Sequence, residues 1–353
     1  MLIDGDLTFR DGDLALQAKS VEAAGYDGAW AAETGHDPLL IVAGAAPTTS
    51  TLELGTGIVV AFARSPMITA TMANDVQLLS KGRLLLGLGS QIKPHIEKRY
   101  SMPWSHPAAR MREYVLAMRA IWSCWNEGTK LNFRGEFYRH TLMTPFFDPG
   151  VNPYGAPKVF VAAVGELMTE VAGEVADGLL LHPFTTERYL REVTLPALDR
   201  GLAKGGRTRD DIQISYSGLL ATGTNVASLA DAASRVRGQI AFYGSTLAYR
   251  VVLELHGWGA LQSQLNALSR EGAWEQMGDL IDDDVLHAFS VVDAPDRVGP
   301  EVQKRFGDVI QRFSLYTPYG LDDDARRSVI KGLRSSSADV HDERPRASDL
   351  TLP

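Results

Sequence analysis

The sequence predicts an α/β protein that folds as a closed (β/α)8 TIM barrel, and three observations support this prediction. Short apolar runs recur along the chain, and each ends in small or polar residues. Amphipathic segments of helical length separate these runs. The runs are continuously apolar, as expected for parallel strands that are covered on both faces. Because eight such runs are present, a barrel with right-handed crossovers is the simplest topology.

Each predicted strand corresponds to one of these runs, in chain order: residues 2–9, 28–32, 52–61, 83–88, 158–163, 177–181, 211–220 and 309–315. Helices are predicted between them, at residues 13–24, from 37, 65–79, 108–126, 168–176, 186–203 and 322–333. Asp13 and Asp37 are suited to cap the first two helices, since aspartate accepts hydrogen bonds from free amides. Pro38 and Pro66 suit first helical turns.

A single domain is predicted over residues 1–334, with two interruptions. Residues 128–157 are rich in aromatic residues, proline and glycine, and we expect them to form an insertion over the strand ends, with a short hairpin near 131–140. Residues 228–305 are predicted to be a helical excursion, broken by glycines. The polar, charged tail at 335–353 is expected to be disordered.

Composition narrows the possible functions. The formal net charge of −8 argues against non-specific binding of nucleic acid or anionic membranes. The one cysteine, Cys124, cannot form an intramolecular disulfide, which fits a reducing compartment. Neither a signal-peptide pattern nor an apolar run of membrane-spanning length is present. We therefore expect a soluble, cytoplasmic protein.

Two glycine-containing motifs follow predicted strands, where parallel α/β proteins bind ligands. Gly87 and Gly89 lack the third glycine of a dinucleotide fingerprint, so close approach of a ligand or backbone is the better interpretation. The turn Ala163-Val164-Gly165 precedes a helix, and its free amides would bind phosphate. An ordinary tight turn explains the same residues equally well.

Titratable residues cluster after the second strand. Glu33 and His36 would suit proton transfer, since a carboxylate near an imidazole sets its tautomer. A loop histidine bonded to backbone is an equal alternative for His36, and helix capping is preferred for Asp37. The scattered histidines and the absence of metal motifs predict no metal site.

Two further parts of the chain carry notable charged residues. Residues 91–99 are locally basic, which suits an anionic ligand tail or a solvated loop. Arg110 and Glu113 stand three apart in a predicted helix and suit a structural ion pair.

Taken in series, several motifs resemble the bacterial luciferase-like flavin and deazaflavin oxidoreductases, especially the branch that uses coenzyme F420. The matching segments include Gly-Tyr-Asp-Gly-Ala-Trp at 25–30, His-Asp-Pro at 36–38, Leu-Gly-Thr-Gly-Ile-Val at 54–59, Leu-Gly-Leu-Gly at 86–89, Arg-Met-Arg-Glu-Tyr at 110–114 and Ala-Gly-Glu-Val-Ala-Asp-Gly at 172–178. The resemblance covers about residues 10–320.

The resemblance implies a cofactor lying across the carboxyl ends of the strands. It places a bulge and a cis peptide bond, Gly57-Ile58, in strand three behind the cofactor ring, and the cofactor phosphate at the turn that ends at Gly165. The residues implied in cofactor binding are Thr56, Gly57, Ile58, Gly89, Ser90, Gln91, Ala163, Val164 and Gly165.

Two departures from the family's sugar-phosphate dehydrogenases argue against a sugar-phosphate substrate. Gln91 and Ile92 stand where those enzymes carry an acidic residue, and aligning His36 with their histidine requires a gap.

The resulting prediction is an F420-dependent oxidoreductase that transfers a hydride between the deazaflavin C5 and an unidentified small organic substrate beneath the insertion. His36, with Glu33 as its electrostatic neighbour, is predicted to handle the proton. The alternatives are an FMN-dependent monooxygenase and a cofactor-binding barrel without turnover. The resemblance also implies a homodimer or a higher homo-oligomer.

Overall fold

The computed structural model describes residues 1–9 and 13–342, with residues 336–342 described as backbone only. A strand lies in each of the eight predicted runs. The strands are β1 Leu2–Leu7, β2 Gly28–Ala31, β3 Glu53–Thr56, β4 Val59–Val60, β5 Leu84–Gly89, β6 Phe133–Arg134, β7 Arg139–His140, β8 Lys158–Ala163, β9 Gly178–Leu181, β10 Gln213–Thr222, β11 Ser290–Asp293 and β12 Arg312–Tyr316. The strand β11 was not predicted.

The helices follow the amphipathic segments. They are α1 Leu14–Ala23, α2 Pro38–Ala45, α3 Pro66–Leu79, α4 Pro107–Glu127, α5 Glu166–Val175, α6 Glu187–Tyr189, α7 Leu195–Lys204, α8 Val226–Gly244, α9 Arg250–Leu255, α10 Gly259–Glu271, α11 Trp274–Asp279, α12 Asp283–Phe289, α13 Pro295–Phe306 and α14 Asp323–Asp342. The side chain of Asp13 accepts a hydrogen bond from the Leu16 amide at 2.9 Å, and Asp37 accepts one from the Leu39 amide at 2.9 Å. Both predicted caps are confirmed.

The chain divides into two compact units. Among the described residues, the first comprises 2–9, 13–182 and 188–216. Its strands pair in parallel in the order β1-β2-β3-β5-β8-β9, and the first part of β10 continues the sheet beside β9. Trp30, Leu85 and Phe160 pack together on three of these strands, with Leu180 against them. This apolar layer is the part of the core that lies beneath the strand ends.

The second unit comprises Met1, residues 183–187 and, among the described residues, 217–342. The second part of β10 pairs in parallel with β11, with Leu219 opposite Ser290. The stretch predicted to be a helical excursion contains α8 to α13 and also β11. Its helices are interrupted at the expected glycines: α8 ends at Gly244, Gly257 lies between α9 and α10, and Gly272 ends α10 in a left-handed conformation.

The insertion at 128–157 contains the predicted hairpin, formed by β6 and β7. Its hydrogen bonds run to the helices α3 and α4. Its position over the strand ends stays a prediction. The Glu113 carboxylate accepts the amides of Glu136 and Phe137, each at 2.8 Å. Further along, the Asn152 side chain donates to the Asn74 carbonyl oxygen at 3.1 Å.

The predicted ion pair between Arg110 and Glu113 is wrong. Arg110 is buried and donates to the Tyr138 hydroxyl and the Pro103 carbonyl oxygen, both at 2.8 Å. Its guanidinium also lies 4.4 Å from the centre of the Phe62 ring, within cation–π range. The side chains of Arg110 and Glu113 therefore bond to the hairpin and not to each other, because the insertion offers each of them a better partner.

The final helix was predicted to end near Leu333 but extends to Asp342, so residues 335–342, which were expected to belong to a disordered tail, are helical. The rest of that tail, residues 343–353, lies outside the described residues. The single domain over residues 1–334 stays a prediction. Within the described ranges, no helix is both long enough and apolar enough to cross a membrane.

Candidate functional site

The carboxyl ends of β2, β3, β5 and β8 are open to solvent. Ala32 and Gly57 are exposed there, and Ile58, Ser90 and Ala162 are half-buried. Earlier in the same sheet the layer of Trp30, Leu85 and Phe160 is buried. A small-residue surface with an apolar floor therefore lies where parallel α/β proteins bind their ligands.

A bulge interrupts strand three at this surface. Leu54 and Gly55 pair with Leu84 and Leu85, but Val59 then pairs with Leu88, so β3 and β4 contain one more residue than the matching stretch of β5. The peptide bond between Gly57 and Ile58 is cis. Both features that the resemblance implied are confirmed.

The side chain of Thr56 supplies hydrogen bonds to β5 at the point where the bulge interrupts the main-chain pairing. Its buried hydroxyl accepts the Gly87 amide and donates to the Gly87 carbonyl oxygen, both at 2.9 Å. A side chain thus replaces the main-chain partner that β5 loses at the bulge. The predicted role of Thr56 in cofactor binding is untested, and its hydroxyl is already committed to β5.

The two glycines of β5 are explained by close packing. A Cβ at Gly87 would lie 1.9 Å from the Thr56 carbonyl oxygen, and one at Gly89 would lie 2.7 Å from Cδ1 of Ile58. The interpretation of this motif as a place of close backbone approach is confirmed. Beyond it, Gln91 adopts a left-handed φ of 60°, and its side-chain oxygen accepts the Ile92 amide at 3.1 Å.

The turn Ala163-Val164-Gly165 leads into α5. Gly165 is the N-cap residue, it is exposed, and no side chain caps the helix. The helical hydrogen bonds begin with the Thr169 amide, which donates to the Gly165 carbonyl oxygen at 3.1 Å, so the amides of Glu166 and Leu167 precede the first intrahelical bond. The Tyr189 hydroxyl fixes the turn by donating to the Val164 carbonyl oxygen at 3.2 Å. These amides and the helix dipole suit an anion.

Burial of Tyr189 raises the pKa of its phenol to about 12, and the nearby Glu166 carboxylate acts in the same direction. The phenol therefore stays protonated across the physiological range and remains a hydrogen-bond donor to the turn.

Glu33 belongs to a network that the sequence did not reveal. Its carboxylate accepts the Val60 amide at 2.8 Å, the Arg64 guanidinium at 2.8 Å and the Tyr100 hydroxyl at 2.9 Å. Arg64 also bonds Asp37, at 2.6 Å. Glu33 was expected to act on His36, but its hydrogen bonds go to these partners instead.

His36 is exposed, and its ring centre lies 5.0 Å from that of Phe9. In the part of the chain that the structure describes, no hydrogen bond joins His36 to Glu33. The proton-handling role of both residues stays a prediction. Sequence reasoning missed Arg64 and Tyr100. They stand 31 and 67 positions after Glu33 in the chain, and no sequence pattern connects residues so far apart.

Across residues 1–9 and 13–335, whose side chains the structure describes, no group of three or more histidine, cysteine, aspartate or glutamate side chains is placed to hold a metal ion. The candidate site is therefore described by its small residues, its backbone amides and the Glu33 network.

These features define an α/β protein with small, partly exposed residues at its strand ends and an uncapped helix N-terminus after β8. Residues 11–310 match the family model of luciferase-like monooxygenases, and the chain belongs to this family. A Mycobacterium tuberculosis protein, itself uncharacterized, is 56% identical over 310 residues, covering 88% of this chain and 91% of that protein.

Two similar proteins have named activities. The 5,10-methylenetetrahydromethanopterin reductase of Archaeoglobus fulgidus is 28% identical over 318 residues, covering 88% of this chain and 91% of the reductase. The solved structure of the coenzyme F420 dependent tetrahydromethanopterin reductase from Methanopyrus kandleri superposes with a TM-score of 0.76 at 22% identity, covering 94% and 96% of the two chains. The predicted (β/α)8 barrel is confirmed, and the family supports an oxidoreductase.

Proposed function

We propose that this protein is an F420-dependent oxidoreductase that transfers a hydride between the deazaflavin C5 and a small organic substrate. The observation that carries the proposal is the uncapped N-terminus of α5 at Gly165, on the unit whose strand ends are lined by small residues. The similar reductase from Methanopyrus kandleri, which is coenzyme F420 dependent, supports this choice of cofactor.

The residues present fit such a cofactor. The amides after Gly165 would bind its phosphate, and the exposed Gly57 with the half-buried Ile58 offers a surface for a flat ring. Gly89 keeps Ile58 in place, because any larger residue there would displace it. When bound, F420 supplies two-electron hydride chemistry at C5. The protein supplies position, exclusion of water and a proton-handling group.

The choice between F420 and FMN is tested by titrating the purified protein, freed of any cofactor, with each compound. We expect F420 to bind at least about tenfold more tightly, a difference of about 1.4 kcal/mol in binding free energy. Fluorescence quenching or calorimetry measures both affinities. Tighter binding of FMN would favour the monooxygenase alternative, since the chain belongs to the family of luciferase-like monooxygenases.

Replacing His36 by alanine is expected to lower kcat by roughly 10²- to 10⁴-fold, the range over which a general acid or base contributes. The measurement is oxidation of reduced F420 against a panel of small carbonyl compounds, followed by kinetics on the best substrate. His287→Ala is the control, because His287 is also exposed but lies in the helix α12, outside the residues of the candidate site.

Unchanged turnover in His36→Ala would remove His36 from the mechanism. If no compound is turned over by the parent protein although F420 binds tightly, the cofactor-binding barrel without chemistry becomes the better account.

A further inference from the structure

A single guanidinium holds both ends of the loop that carries His36. Nη1 of Arg64 donates to Glu33 Oε2 at 2.8 Å, and Nη2 donates to Asp37 Oδ2 at 2.6 Å. His36 lies between these two carboxylates in the chain, directly before Asp37. We infer that Arg64 is a positioning residue, which fixes the His36 loop for the reaction.

Other contacts hold the same loop without touching the imidazole. Arg99 donates to the Thr34 carbonyl oxygen at 2.5 Å, and the Tyr100 hydroxyl donates to Glu33. The second oxygen of Asp37 caps α2, which fixes the exit of the loop. The His36 ring is exposed and lies against Phe9, so its position depends on the backbone that carries it.

The guanidinium of Arg64 forms a two-pronged fork, and this geometry explains why an arginine stands here. A planar guanidinium presents two donor edges at a fixed angle, so it bonds two carboxylates at once. The side chains of Arg64 and Glu33 are 15% and 7% exposed, and that of Asp37 is 34% exposed, so the fork is only partly screened by water. A lysine would keep the charge, but its donors share one nitrogen, so it lacks the planar fork that directs one bond to each carboxylate. The two ends of the loop would then be free to move relative to each other.

The inference rests on the proposed role of His36, and its test separates the two. Arg64→Lys is expected to lower kcat by about 10- to 100-fold, because displacement of a reacting group by about 1 Å has an effect of this size. KM should stay within about threefold, since the loop orients a reacting group and does not bind the substrate. Tyr100→Phe should lower kcat by less than Arg64→Lys does, because the arginine fork remains.

A second measurement needs no cofactor. The ring-proton NMR signals of His36, assigned by their loss in His36→Ala, should be sharp in the parent protein. They should shift and broaden in Arg64→Lys, whereas a residue that only stabilised the fold would leave them unchanged in the folded protein.

Chemical rescue provides the third measurement. Guanidinium chloride at millimolar concentration, far below denaturing levels, should restore part of the kcat of Arg64→Ala. The matched control is Arg112→Ala, which removes an arginine paired with Glu174 between α4 and α5. Its activity should equal that of the parent protein and should not respond to guanidinium.

Parent-like kcat and unchanged His36 signals in Arg64→Lys, together with an inactive His36→Ala, would overturn the positioning role and leave the proposed function standing. An active His36→Ala would instead overturn the proposed proton-handling role. The NMR signals alone would then decide whether Arg64 fixes the loop.

Discussion

Replacing Gly165 by aspartate is expected to weaken F420 binding by on the order of 100-fold while leaving the fold slightly more stable. Gly165 caps α5, and a Cβ there would meet nothing within 4 Å, so a side chain fits. Aspartate is a preferred N-cap residue and would gain a few tenths of a kcal/mol over glycine. Its carboxylate would occupy the amides that the cofactor phosphate needs and would repel the phosphate.

The matched control is Gly165→Ala, which adds a methyl group without charge or an acceptor. Its F420 affinity should stay within about threefold of the parent protein, because the amides remain free. Titration gives the affinities, and thermal unfolding without cofactor gives the stabilities. Unchanged affinity in Gly165→Asp would show that the cofactor phosphate lies elsewhere.

Replacing Thr56 by valine is expected to lower the free energy of unfolding by about 2–4 kcal/mol. Valine has nearly the same shape, but the buried Gly87 amide and carbonyl would lose the hydroxyl that bonds both of them. Each buried polar group left without a partner costs about 1–3 kcal/mol. Urea unfolding measures the loss.

Thr56→Ser retains the hydroxyl and loses only a methyl group, so it should be destabilised by no more than about 1.5 kcal/mol. Equal stability of the valine and serine variants would contradict the assignment of the hydroxyl as the bridge across the bulge. If the bulge also supports the cofactor ring, the valine variant should bind F420 more weakly than the serine variant.

Much of the fold is encoded locally and could be predicted. The apolar runs identified the eight strands, because strands covered on both faces need continuous apolar side chains. Asp13 and Asp37 marked helix starts, since a short polar side chain satisfies the first free amides. The strand β11 escaped prediction because it follows α12 directly and lies within the stretch that was predicted to be helical.

The candidate site was predictable only in part. The turn at Gly165 and the bulge at Gly57 depend on short motifs, and both were placed from sequence and resemblance. The partners of Glu33 were not, since Arg64 and Tyr100 reach it from distant loops. Arg110 and Glu113 show the same effect: their spacing suited an ion pair, but the hairpin supplied other partners.

The sequence by itself determined the α/β class, the order of the elements, the helix caps and the small residues at the strand ends. Each of these follows from periodicity or from bonds between near neighbours in the chain. Only the tertiary structure decided which charges meet, where the insertion lies and that Arg64 spans the His36 loop. The energies of such contacts depend on burial and on the distance between side chains, and both are set by packing between elements far apart in the chain.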